Sequence, residues 1–280
     1  MKSRKLLRWA PLPGPRLRGS TARAHRLRSL ARAALKGLHV IAGALLLMVG
    51  AQPVHAIVGG MSAPSDLGSH VVMIVSTRGA SCSGTALARD LVLTAAHCVQ
   101  PASDYAVAMV QDGKASLIPV ARIEVHPHFQ DDQIETRRPT PDLALIRLSA
   151  PLPPTVQPAR LSTSGLPAKG TPFLVAGFGM VAENAERSAG TLRAVRLISV
   201  GTTGGIMARL VPMEGRAGAC TGDSGGPAFM QDGTLAGVVS WVTGAGGARG
   251  CGGVTGMTVA GLFSDWIQGA ARTLGRPLDP

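Results

Sequence analysis

Three short segments hold side chains suited to hydrolysis by a serine. In Gly222-Asp223-Ser224-Gly225-Gly226-Pro227 the serine is flanked by glycines, which let the backbone adopt φ values that aim neighbouring N–H groups at one point. In Leu93-Thr94-Ala95-Ala96-His97-Cys98 a histidine follows small alanines that leave its ring space, and precedes a cysteine able to pin it covalently. In Asp142-Leu143-Ala144-Leu145-Ile146-Arg147-Leu148 an aspartate opens an apolar run that predicts a core strand, so its carboxylate falls at a buried strand end and needs a partner. A serine hydroxyl is a weak nucleophile and requires an adjacent base. A neutral imidazole oriented by a buried carboxylate supplies one, and the tetrahedral oxyanion requires preorganised donors. These needs assign Ser224 as nucleophile, His97 as base, Asp142 as the orienting carboxylate, and the Gly222 and Ser224 amides as the oxyanion hole. A glycine-rich turn, a structural histidine and a strand-initiating aspartate each have a bland explanation alone.

Elements able to position such residues follow from Ile57 onward, where short apolar runs alternate with Gly, Pro, Asp and Ser clusters. The spacing predicts strands at 71–77, 91–94, 105–110, 143–148, 173–177, 192–200, 235–241 and 253–259, a pattern of an all-β barrel or sandwich. Leu262, Phe263, Trp266, Ile267 and Ala270 recur at three- and four-residue spacing and predict one helix over 260–274. Pro153, Pro154 and Pro158 mark a connection between two halves.

The formal net charge of +12 would suit a polyanion partner, but its distribution removes that reading. Residues 1–56 hold 11 Lys and Arg and no acidic residue, leaving 17 basic against 16 acidic residues in the remainder. The basic segment precedes an apolar run, 38–50, and then Val54-His55-Ala56, with short residues at −3 and −1 of a cleavage point. We read 1–56 as a signal peptide cut after Ala56, and the chain as secreted or periplasmic, meeting the membrane only during export. The apolar run is shorter than the ~20 residues of a comfortable membrane span. Cys82, Cys98, Cys220 and Cys251 all follow the cut, and an even number in an exported chain favours two disulfides among three possible pairings. No cysteine–histidine spacing suggests zinc. His126 and His128 form a pair with metal-ligand chemistry, but their Val125-His126-Pro127 context reads as a loop.

The three segments resemble the signatures of the chymotrypsin-like (trypsin-fold) serine proteases, in the order His, Asp, Ser and with His97 and Asp142 45 residues apart. The resemblance spans 57–274. It implies two six-stranded antiparallel β-barrels packed together with a C-terminal helix, a peptidase domain over 57–280, and cleavage of protein or peptide substrates through an acyl-enzyme, by a monomer without cofactor or metal. Gly177-Phe178-Gly179 resembles the family's Gly-Trp-Gly turn. By the same resemblance Cys82 pairs with Cys98 and Cys220 with Cys251. Ile57-Val58-Gly59-Gly60 matches the family's mature N-terminus, whose freed α-amine pairs with the aspartate before the nucleophile, here Asp223. Signal removal would itself create that amine. Ser240 and Trp241 resemble the strand that pairs with substrate backbone. Gly218 and Ala219 fall at the base of the specificity pocket and Val242 at its entrance, which implies small to medium apolar P1 side chains. Relatives that keep the fold and bind without cleaving usually lose a triad member or the glycine before Asp-Ser; this chain keeps all of them.

Overall fold

The structure is a computed structural model that describes residues 57–278 except 112, 113, 214 and 249. The signal-peptide reading of 1–56 lies outside the described residues. Thirteen strands lie among the described residues: β1 Met61–Ser62, β2 Val71–Ser76, β3 Ser81–Ala88, β4 Leu91–Thr94, β5 Tyr105–Gln111, β6 Lys114–Val125, β7 Ala144–Leu148, β8 Pro172–Gly177, β9 Arg193–Thr203, β10 Met207–Pro212, β11 Pro227–Phe229, β12 Leu235–Val242 and β13 Thr255–Val259. All pair antiparallel with their sheet neighbours.

Strands β2-β3-β4-β7-β6-β5 close the first barrel. In the second, β9-β10-β13-β12-β11-β8 closes through a β8–β9 pairing, with β1 added outside β9. Two six-stranded barrels therefore form, as the resemblance implied. The proline-rich connection runs between β7 and β8, which joins the barrels.

Closure of each barrel buries both faces of its short apolar runs. Leu91, Val92 and Leu93 in β4 and Ala144, Leu145 and Ile146 in β7 have no exposed surface. Full burial contributes about 1.5–3 kcal/mol for each large apolar side chain. The second barrel is filled by Ile57, Val175, Leu197, Leu210, Val239 and Met257.

Four strands were not foreseen in β3, β6, β10 and β11, and a fifth in the two-residue β1. Strand β3 reads Ser-Cys-Ser-Gly-Thr-Ala-Leu-Ala, small residues without clean alternation, yet Cys82–Leu87 are all buried. Strand β6 carries Pro119 and charges because much of it faces water.

The predicted C-terminal helix begins later than expected. A 3-10 turn covers Ala260–Phe263 and the α-helix runs Ser264–Thr273. Ile267, Ala270, Ala271 and Leu274 are buried, whereas Leu262, expected on the same face, is 42% exposed. The helix secures the loop leading to Asp142: His126 stacks edge-on against Phe263 at 5.1 Å and lies 4.9 Å from Trp266. Beyond the helix, Arg276 donates to both carboxylate oxygens of Asp90, which also pairs with Arg147. This ties the end of the chain to the first barrel.

Candidate active site

His97 and Asp142 are brought together by one strand pair. Thr94 and Ala144 are register partners where β4 meets β7. Three residues past Thr94, the 3-10 turn Ala96–Val99 carries His97, and two residues before Ala144 stands Asp142. A separation of 45 residues in sequence thus shrinks to hydrogen-bond distance. Asp142 is fully buried and its carboxylate collects three donors. The His97 amide donates to Oδ1 at 3.0 Å, His97 Nδ1 to Oδ2 at 2.7 Å, and Ser240 Oγ to Oδ2 at 2.6 Å. The last comes from the second barrel, where the β12–β13 register shifts between Val239 and Trp241. Such an irregularity re-aims a side chain, here the Ser240 hydroxyl.

With Nδ1 committed to Asp142, Nε2 is the nitrogen left to accept a proton. Burial lowers the His97 pKa, but the charge and hydrogen bond of Asp142, with a contribution from Asp131, outweigh it and leave a net rise above 6.5. The Cys82–Cys98 disulfide fixes the turn from the adjacent position.

The Ser224 loop is shaped from both barrels. Ser83 in β3 donates its amide to the Ser224 carbonyl at 2.8 Å and its hydroxyl to the Gly222 carbonyl at 2.9 Å. The Gly225 amide donates to Val239 O at 2.7 Å. Gly222 and Gly225 have φ of +98° and +80°, conformations that exclude most side chains. A Cβ on Gly225 would also strike Thr94 Oγ1, so the Ser224–Gly225 peptide packs directly against the approach to His97. With their carbonyls turned inward, the Gly222 and Ser224 amides have no acceptor among the described residues. Ser224 Oγ makes no hydrogen bond to His97 among them; catalytic contacts of this type often tighten only around substrate.

Asp223 lies behind this loop, fully buried, and accepts from the Gly179 amide at 2.8 Å and the Cys220 amide at 2.8 Å. A Cβ on Gly179 would stand 2.6 Å from the Asp223 carboxyl carbon, which explains glycine in the Gly177-Phe178-Gly179 turn. Burial pushes the Asp223 pKa up to about 7, against the pull of the two amides and the Arg193 charge. Ile57 is equally buried, and its peptide nitrogen donates to Met180 O at 3.2 Å. In this uncut chain that nitrogen is an amide, and no ion pair joins Ile57 to Asp223 among the described residues. The anticipated pair would need a free α-amine at Ile57, which this uncut chain does not have. Gly179, which donates to Asp223, is the chain neighbour of Met180, which accepts from Ile57.

Around the base of the expected pocket, Gly218 and Ala219 are buried. The Ala219 amide donates to Thr255 Oγ1 at 3.3 Å, and a Cβ on Gly218 would stand 3.1 Å from Gly252 Cα. Half-buried Val242 follows Trp241 on β12. The β11 pairing ends at Val238, so beyond the Ser240 irregularity Trp241 and Val242 pair with β13 on one edge and with no described strand on the other. That edge can accept an extended peptide.

The Cys220–Cys251 disulfide forms as implied, with Glu183 Oε2 3.0 Å from Cys251 Sγ. Cys82, His97 and Cys98 cluster, as do Glu183, Cys220 and Cys251, but disulfide sulfurs offer no thiolate to a metal. Ser83, which shapes the nucleophile loop, and Arg193, whose charge reaches Asp223, were missed in the sequence. Ser83 follows a cysteine whose partner is next to the histidine, and that adjacency was a usable signal.

Two antiparallel barrels thus carry a buried carboxylate, an imidazole and a glycine-framed serine at their junction, the groups that a serine hydrolase uses. The profile of the Trypsin family matches residues 57–267, and the chain belongs to that family. It is 33% identical over 238 residues to serine protease 56 of Mus musculus, covering 76% of this chain and 38% of the relative. It is 34% identical over 242 residues to coagulation factor XII of Rattus norvegicus, covering 76% and 40%. The chain thus spans about two fifths of the length of these curated relatives. Among solved structures, human heparin binding protein superposes with a TM-score of 0.62 at 23% identity, covering 80% of this chain and all of that one. That protein is named for binding, so the shared fold alone does not decide catalysis.

Proposed function

We propose that the chain is an exported serine endopeptidase using Ser224, His97 and Asp142. The observation that carries this reading is the convergence of His97 Nδ1 and Ser240 Oγ on fully buried Asp142, at 2.7 and 2.6 Å. Ser224 Oγ attacks the scissile carbonyl carbon while its proton passes to His97 Nε2. The resulting oxyanion takes the Gly222 and Ser224 amides, which have no competing acceptor among the described residues. Collapse breaks the C–N bond, and His97 returns the proton to the leaving amine. A water then loses a proton to His97, attacks the acyl-enzyme ester and releases Ser224. Labelling by a fluorophosphonate, absent in Ser224→Ala, tests the assignment. An unlabelled folded wild type would favour a secreted binding protein on the same scaffold.

Because base catalysis needs neutral His97, kcat/KM is expected to rise with pH along a limb centred above 6.5, the direction set by Asp142. A limb centred well below 6.5 would mean that burial outweighs the carboxylate.

The absence of an acidic side chain at Gly218 and Ala219 and the branched Val242 support small to medium apolar P1 residues. Val242→Gly is expected to raise kcat/KM for P1 Phe relative to P1 Ala by about tenfold, the value of one or two buried methylenes. An unchanged ratio would remove Val242 from the pocket entrance.

No described helix is long and apolar enough to cross a membrane. Cleavage between Ala56 and Ile57 would release the domain and create the amine that meets Asp223. Gly222, Ser224, Ile57 and Asp223 then act as one assembly, in a monomer cutting protein or peptide substrates. Sequencing the exported protein tests the cut, and any start other than Ile57 sinks it.

A further inference from the structure

The unpaired edge of β12 has a direction, and it leads to a contact between the two barrels. Ser240 is fixed beside Asp142, so an antiparallel substrate strand lays successive acyl-side residues along Trp241, Val242 and Thr243 toward its own N-terminus. One-to-one register from P1 at Ser240 places P4 at Thr243 and P5 at Gly244. Immediately beyond comes the turn Ala245–Gly247, folded back by bonds from the Gly247 amide to Gly244 O at 3.2 Å and from the Gly244 amide to Ala248 O at 2.8 Å. Across it reaches Arg137 from the first barrel, whose Nη1 donates to Gly247 O at 3.0 Å.

Arg137 is held for this reach. It caps the short helix Asp132–Thr136 in the left-handed region, with φ of +56°. Its amide donates to Ile134 O at 3.1 Å, and the next amide, of Arg138, to Gln133 O at 2.9 Å. Two residues on, Pro139 packs against Gly204 in the β9–β10 turn, where any Cβ would collide with its ring. The same loop continues through Thr140 to Asp142, so it flanks the catalytic carboxylate. It carries Asp131 at its start, whose charge is felt at His97.

We propose that Arg137 is a specificity-determining latch that closes the acyl-side end of the substrate channel by bonding Gly247. This rests on the protease reading and on substrate pairing along Ser240–Val242. Peptides ending by P4 fit inside the latch. Longer ones, and chain segments inside folded proteins, must break the Arg137–Gly247 bond to lie along the strand.

The test compares the processed enzyme with Arg137→Asn, which tolerates the left-handed conformation, and Arg137→Lys, which keeps a cationic donor. Two fluorogenic peptides share the sequence from P3 to P3′ and carry either three or seven residues on the acyl side. Rates are expressed per fluorophosphonate-titrated site, so misfolded protein does not count. Arg137→Asn is expected to raise kcat/KM for the seven-residue peptide about fivefold, the equivalent of one hydrogen bond, and to leave the three-residue peptide within about twofold. Arg137→Lys should fall between the wild type and Arg137→Asn on the longer peptide. An equal gain on both lengths, or no gain on the longer one, overturns the latch. A wild type that takes no label at Ser224 fails the protease reading instead.

Discussion

Ser224→Ala is expected to lower kcat on a peptide amide about 10⁶-fold, and adding His97→Ala should cost almost nothing more. Both residues serve one step, in which Oγ forms a bond to carbon as its proton moves to Nε2, so removing either abolishes that step. This non-additivity and the size of the loss are those of serine-protease triads. What remains, about 10³–10⁴-fold over water, is due to binding and to the oxyanion donors. On the proposed assignment those donors are the Gly222 and Ser224 amides, in a loop held by the Ser83 amide and hydroxyl and by the Val239 carbonyl, bonds that neither substitution touches. The measurement is kcat for the two single variants and the double variant, each checked for folding by near-ultraviolet circular dichroism. A double variant about 10³-fold slower than either single one would show that Ser224 and His97 work independently, and the triad assignment would fall.

The proposed catalytic side chains stood out in sequence because each sits in a segment with a local physical demand. Glycines on both sides of Ser224 signal a backbone that other residues cannot follow. The apolar run after Asp142 signals a buried strand end, and the structure gives that carboxylate its three donors. The strands that could be named were apolar through most of their length. Strand β3 escaped because its core positions are filled by Ser, Gly, Thr and Ala, residues small enough to let the second barrel approach. Ser83 is the instructive case. Its hydroxyl bridges the Gly222 carbonyl and the Phe178 amide, at 2.9 Å each, a role set entirely by tertiary contact across more than ninety residues. Periodicity carries no trace of such a contact. Ser240 was placed on the substrate strand by resemblance, but its bond to Asp142 depends on a register shift in β12, which no side-chain pattern announces. Arg137 was equally invisible, an arginine in a charged loop whose partner is a backbone carbonyl 110 residues away.

A second large effect is expected at Asp223. Compare a chain beginning at Ile57 with one that keeps Ala56, so that the two differ by a single N-terminal residue. In the longer chain the Ile57 nitrogen is an amide, and Asp223 remains buried with two amide donors and a pKa pushed up to about 7. A folded-state pKa above the ordinary 3.8 means that the folded form holds a proton the unfolded form has released. The stability linked to that proton is fully present below about pH 4 and is lost as pH rises through about 7. In the chain beginning at Ile57, the α-amine, with an ordinary pKa of about 8, pairs with ionised Asp223 and removes this loss. The stability gap between the two chains, both carrying Ser224→Ala to prevent self-digestion, should therefore widen from pH 4 to 7. It should level off above 7 and narrow again once the amine deprotonates. Breaking a buried ion pair costs about 3–5 kcal/mol, so an active longer chain is expected to lose kcat/KM by roughly 10²- to 10⁴-fold at pH 7.5. The loss arises because Asp223 precedes Ser224 and its position sets that of the Gly222 and Ser224 amides. Denaturant melts across pH give the gap, and initial rates give the loss. Equal rates for the two chains, or a gap that does not change between pH 4 and 7, would mean that Asp223 is held without the amine and that the cut before Ile57 does not switch the site on.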